Sequence, residues 1–131
     1  MNPRTRTTTS VETKTRAAQA RAYLAAASLH IGDADPANAN VSVSLSVLAG
    51  IAASDAICGH ALRTIAQGQD HGEAIVLLGS VSSKAARRLR ALLSAKSSSQ
   101  YGSSYVTPAR ARELLDHATR LCRELDALLA R

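Results

Sequence analysis

AGIAASDAICGHALRTIAQGQDHGEAIVLL, residues 49–78, carries the strongest helical pattern in this chain together with the turn that ends it. At 3.6 residues per turn, Leu48, Ile51, Cys58 and Leu62 share one face, and Asp55 falls among them. A carboxylate taken out of water must be paired, hydrogen-bonded or protonated. Asp55 therefore predicts a structural buried polar residue met by an Arg, Ser or His of a neighbouring helix, with His117 or an arginine of the last helix among the candidates. The opposite face carries Ala49, Ala53, Ala56 and the nearby Gly59, small enough for a second helix to approach closely. The pattern predicts a central helix over 40–66, buried on two sides.

Working outward, Gly68 is placed to end that helix, and Asp70 with Glu73 has capping-box spacing for the next one. His71 beside them reads as a capping or packing residue of the turn. A third helix then carries Ala74, Leu78, Val81, Ala85, Leu89 and Leu92 inward, with Lys84, Arg87 and Arg88 on another face. Toward the N-terminus, GDADPANAN is a loop broken by Pro36, and Ala18, Ala22, Ala25 and Leu29 predict a first helix from about Ser10 to Gly32. Residues 1–9 lack apolar periodicity and read as a disordered basic tail, leaving 10–131 as one helical domain. Toward the C-terminus, the Ser/Gly-rich SSSQYGSSYVT, residues 97–107, reads as a flexible connection. Thr107 as N-cap and Pro108 at N1 then open a last helix burying Leu114, Ala118, Leu121, Cys122, Leu125 and Leu128. The expected fold is all-α, an up-down four-helix bundle with the serine-rich connection before its last helix.

Composition narrows the function. The 131 residues suffice for one modest core. MNPRTRTTTS is polar with no apolar run behind it, so no secretory signal is expected, and every apolar run is interrupted before the roughly 20 residues that span a bilayer. The expectation is a soluble cytoplasmic protein with no membrane association. Cys58 and Cys122 lie mid-helix without ligand neighbours and read as small core residues. His30 and His60 have no partner at metal-ligand spacing, and no metal or cofactor is expected. The absence of a glycine-rich phosphate loop, CxxC, GxSxG and HExxH disfavours P-loop, redox, hydrolase and zincin chemistry. Residues 33–73 hold five acids against one base, whereas the rest of the chain has a balance of +10 within a net charge of +6. That basic excess favours a polyanionic partner such as RNA, with solvated arginine-rich helix faces as the plainer alternative. With no Phe or Trp, a platform that stacks bases on rings is disfavoured.

The wording LAGIAASDAIC, followed by GQDHGEAIVLL, resembles small bacterial HEPN-domain proteins, over roughly residues 17–129. The resemblance implies a four-helix domain, often dimeric, of which many members are metal-independent ribonucleases. Their hallmark is an arginine, four to six residues and a histidine near the start of the last long helix. RARELLDH, residues 110–117, fits that description with either Arg112 or Arg110 and His117. Metal-free RNA cleavage needs a base, an acid and a fixed cation at the phosphate, roles that histidine and arginine can fill. On a regular helix His117 lies about 20° from Arg110 around the axis and about 140° from Arg112. Arg112 would then meet His117 only across a dimer or through a distorted first turn. Glu113, one turn before His117, could hydrogen-bond the ring. Lys84, Arg87 and Arg88 are candidate RNA contacts.

Three functions compete. One is a HEPN-like endoribonuclease of toxin–antitoxin or phage-defence type using Arg and His of the last helix. Another is a non-catalytic HEPN-like dimeric module binding RNA, a nucleotide or a protein such as a nucleotidyltransferase or antitoxin-like partner. The third is a DNA-binding accessory protein, for which only charge speaks. In the plainer view His117 is a boundary histidine, and Arg110 and Arg112 are solvated first-turn residues.

Overall fold

The structure is a computed structural model that describes residues 3–32, 35–68, 71–96 and 103–131. Among these, five helices and one two-stranded sheet follow in chain order: β1 (Thr5–Thr7), α1 (Ser10–His30), α2 (Ala37–Leu62), β2 (Thr64–Ala66), α3 (His71–Gly79), α4 (Ser83–Ser94) and α5 (Pro108–Leu129). The mostly helical expectation holds at this level.

α2 is the centre, packed against α1, α5, α4 and α3. Its two sides use different side chains. Gly50 faces α4 and α5, where an added Cβ would lie 2.5 Å from Leu92 Cδ1 and 3.6 Å from Leu121 Cδ1. Val43, Val47 and Ile57 follow that phase and are buried with Leu89, Leu114 and Leu125 in one core. Gly59 faces α1, where a Cβ would meet Thr13 Oγ1 at 2.5 Å. Ala49, Ala52 and Ala56 follow Gly59 up the helix and are fully buried in the same core as Ala17 and Ala20. Small side chains thus bring α1 and α2 together without aromatic filling, and Ser42 Oγ donates to Ala27 O at 2.9 Å across the same interface. By length and composition α2 could cross a bilayer, contrary to the expectation that no run is long enough. Yet 67% of its most apolar window is buried inside the fold, as a core helix requires.

The Asp55 face is corrected. Leu48 and Leu62 are 36% and 39% exposed, so this face is a half-open edge of the core, while the small-residue side is the buried one. Asp55 pairs with Arg16 of α1, whose Nε donates to Oδ2 at 3.1 Å, and not with His117 or an arginine of the last helix. Antiparallel packing of α1 on α2 brings these residues together across 39 positions.

Three boundaries also differ from expectation. Residues 3–9 are not a disordered tail: Thr5, Arg6 and Thr7 pair with Ala66, Ile65 and Thr64 in antiparallel register. Thr9 then caps α1, its side chain accepting from Glu12 N while Glu12 reaches back to Thr9 N in a capping box. β2 exists because α2 stops at Leu62, where Arg63 adopts a left-handed conformation (φ 56°) and its N–H bonds Gly59 O. Arg63, rather than Gly68, is the C-cap, and the β-branched Thr64 and Ile65 leave it in extended conformation. The expected third helix is two helices. Ser80 Oγ donates to Leu77 O after Gly79 ends α3, and extended Ser82 accepts from Ala85 N to start α4. A local N-cap has overridden the apolar periodicity that runs through this corner. The Asp70 half of the expected capping box lies outside the described residues, as does 97–102 of the serine-rich connection. His71 packs at the turn, its Nε2 3.0 Å from Lys96 Nζ.

Candidate functional site

α4 and α5 run antiparallel. Ser82 at the start of α4 reaches Glu124 late in α5, and Arg88, six residues on, reaches His117. Their shared face collects the cations of both helices. Lys84 and Arg88 from α4, with Arg120, Arg123 and Glu124 from α5, line a groove of about 380 Å³. Glu124 accepts from Ser82 Oγ, and Arg120 Nε pairs with Asp116 Oδ2 at 2.9 Å. Among the described residues, Lys84, Arg87, Arg88 and Arg123 take part in none of the ion pairs. Their charge is therefore available to a polyanion. Arg87 is exposed but lies outside the groove lining. Arg120 and Arg123 escaped the sequence analysis because their phase matters only once α5 is known to lie antiparallel to α4.

The first turn of α5 is regular. Thr107 accepts from Arg110 N at 3.1 Å, Pro108 opens the helix, and Ala111 N bonds Thr107 O. Arg110, at seven residues from His117, therefore lies on the same side of α5, and Arg112, at five, lies about 140° away. Arg110 shares the His117 side and ties to Glu113, its Nη1 3.0 Å from Glu113 Oε1. Glu113 thus pairs with Arg110, with no hydrogen bond to the His117 ring among the described residues. Arg112 is exposed and lines a different depression, with Ile31, Asp35, Pro36 and Tyr105 at the α1–α2 corner. The structure therefore separates Arg112 from His117 within a single chain.

The cation nearest His117 is instead Arg88, its Nη1 3.5 Å from His117 Nδ1. An arginine only donates, so this contact favours the tautomer with the imidazole proton on Nε2. Partial burial and then the Arg88 charge push the His117 pKa down, Arg110 adding to the effect, while Glu113 and Asp116 pull the other way. In that tautomer Nδ1 is the ring's one basic nitrogen, so the imidazole can take a proton from a hydroxyl there only as Arg88 leaves Nδ1 to hold a phosphate.

Cys58 and Cys122 are 2% and 3% exposed, and burial pushes their thiols up to about 12 and about 11. They pack as core residues, as expected. Among the described residues there is no group of three or more His, Cys, Asp or Glu able to hold a metal ion. No protein-family model, curated protein or solved structure matches the chain.

Proposed function

We propose that this chain is a HEPN-like helical module that binds RNA along the groove between α4 and α5. The observation that carries this reading is the set of unpaired cations, Lys84, Arg88 and Arg123, facing one another across two antiparallel helices. Phosphate neutralisation by such a set releases counterions and gives salt-dependent affinity without ring stacking. That fits a chain with no Phe or Trp. The module is cytoplasmic and dimeric in this reading, and a nucleotidyltransferase or antitoxin-like protein is its expected protein partner.

The test is fluorescence anisotropy with a labelled single-stranded RNA across a salt series, comparing the native chain with Lys84→Gln, Arg88→Gln and Arg123→Gln. Each lost phosphate contact should flatten the log affinity against log salt slope by about 0.7. Unchanged affinity and slope in all three would sink the assignment of the groove.

A second reading, favoured by the neutral His117 beside Arg88, is metal-independent RNA cleavage of toxin or phage-defence type in the same groove. His117 is then the base toward a 2′-hydroxyl through Nδ1, freed as Arg88 turns from the ring to the phosphate, while Arg110 stays paired with Glu113. Arg112 joins only if a second chain delivers it.

A further inference from the structure

A second depression, of about 420 Å³, adjoins the groove between α4 and α5, since Lys84 and Glu124 line both. Ile57 of α2, Val81 of the α3–α4 corner and Leu128 of α5 give it apolar wall. Glu124 stands on the shared rim, an acid in a groove whose other lining residues are all cations.

Ser82 fixes that acid in place. Its hydroxyl caps α4 by accepting from Ala85 N at 3.1 Å, and its proton goes to Glu124 Oε1. A hydroxyl has one proton to give, so Glu124 is held as an acceptor at a defined position. Despite the cations beside it, Glu124 takes part in none of the ion pairs among the described residues, and its Oε2 accepts no hydrogen bond there. Glu124 is half-buried, and its second oxygen is open to a donor from outside the chain.

We infer that this depression receives one base of the RNA strand whose phosphates lie in the groove, and that Glu124 selects guanine; the inference rests on the RNA reading of that groove. The Watson–Crick edge of guanine presents two donors side by side, N1–H and the N2 amine, which a carboxylate accepts together. Adenine and cytosine place a ring-nitrogen acceptor beside their amine, and uracil flanks its N–H with two carbonyls. Each of these sets a lone pair against the carboxylate, so a fixed Glu124 rejects all three. The aliphatic walls of Val81 and Leu128 take the faces of a base without any aromatic ring, and the Arg131 guanidinium adds a plane on which it can stack. Lys84, on the rim common to both depressions, is placed for the phosphate of the turned-out nucleotide, and Arg88, Arg120 and Arg123 for those of its neighbours.

The test is fluorescence anisotropy with labelled uridine heptamers carrying guanosine, inosine, adenosine or uridine at the centre. The guanosine heptamer should bind about tenfold more tightly than the adenosine or uridine one, and inosine, which keeps N1–H but lacks the N2 amine, should fall between. Glu124→Gln keeps an oxygen for Ser82 and replaces the other by an amine. It should abolish the guanosine preference while raising affinity for the all-uridine heptamer, because a negative charge leaves the groove. Arg123→Gln should weaken all the heptamers alike. Guanosine monophosphate, which lacks the neighbouring phosphates, should compete about tenfold more weakly than the guanosine heptamer. Equal, salt-dependent binding of every heptamer would leave the RNA groove standing and overturn the guanine pocket. A guanosine preference that survives Glu124→Gln, or guanosine monophosphate competing as well as the heptamer, would overturn it too. Failure of every heptamer to bind would overturn the pocket and the groove together.

Discussion

Replacing Arg16 with methionine keeps the stem that packs on α2 and removes the charge that faces Asp55. The two side chains are 30% and 21% exposed, with Nε and Oδ2 3.1 Å apart. Unit charges 4 Å apart are worth about 4 kcal/mol at an effective dielectric constant of 20 and about 1 kcal/mol in bulk water. For a pair this wet, Arg16→Met should cost about 1–2 kcal/mol at pH 7. The pH dependence separates this loss from a packing loss. Burial drives the Asp55 carboxyl upward, and the Arg16 charge and hydrogen bond restrain the rise, with smaller help from Arg6 and His71. A carboxyl raised in the folded state holds its proton more tightly there than in the unfolded chain. The stability linked to it is therefore present at acid pH and lost as pH climbs through the folded value. Without Arg16 the carboxyl rises further, so the penalty grows from near zero below pH ~4 to its full size near neutrality. Urea denaturation followed by circular dichroism from acid to neutral pH measures this difference. Asp55→Asn should cost less than Arg16→Met, because it removes a desolvated charge and leaves Arg16 bonded to Gln19 Oε1 at 2.6 Å. A pH-independent loss in Arg16→Met, or a larger loss in Asp55→Asn, refutes the reasoning.

Three further outcomes follow from packing and backbone geometry. Leu121→Ala removes a fully buried side chain beside Gly50 and should lower the urea-derived stability by about 2–5 kcal/mol; a loss under 1 kcal/mol would mean that α5 is not clamped on α2. Arg63→Gly relieves the φ of 56° at the α2 C-cap and should raise stability by roughly 0.5–1 kcal/mol, read as a shift of the urea midpoint. With thiols at about 12 and about 11, Cys58 and Cys122 should resist Ellman's reagent at pH 8 in the folded protein and react readily in urea; rapid native labelling would contradict their burial.

What the sequence discloses here depends on whether the signal is local. Thr107-Pro108 specifies the start of α5 by itself, because cap and first turn are neighbours in the chain. The alanine face of α2 is equally legible, since only small residues allow α1 to come so close. β1 is not, because TRT resembles any polar tail until α2 ends at Arg63 and exposes an extended partner. The break between α3 and α4 had a visible sign in Gly79-Ser80-Val81-Ser82, but the apolar phase across it was continuous enough to suggest one helix. At the candidate site, Lys84, Arg88, Arg110 and His117 are readable as charged helix residues. That Arg88 meets His117, and that Arg120 and Arg123 complete the groove, depends on tertiary register. Asp55 shows both sides of this: its need for a donor is a consequence of burial, while the donor's identity requires knowing which helix lies beside it.

Arg88 belongs to both readings of the α4–α5 face, so it cannot distinguish them, whereas His117 and Arg112 can. A module that only binds RNA loses affinity in Arg88→Gln through a missing phosphate contact and is indifferent to the imidazole. An enzyme also loses cleavage in His117→Ala, by about a hundredfold or more, while RNA affinity holds. Because burial and Arg88 push the His117 pKa down, the free enzyme keeps its neutral base to lower pH than an ordinary histidine would. kcat/KM should accordingly persist into mildly acid solution and fall on further acidification, as the ring gains its proton. Arg112 decides the assembly. It lines the α1–α2 corner away from His117, so Arg112→Ala leaves a single-chain site intact and damages one composed across two chains. RNA cleavage, binding and sedimentation measured on these three variants therefore assign the chemistry and the stoichiometry together. Cleavage undiminished in His117→Ala would remove the imidazole from the mechanism and leave the groove as a binding surface.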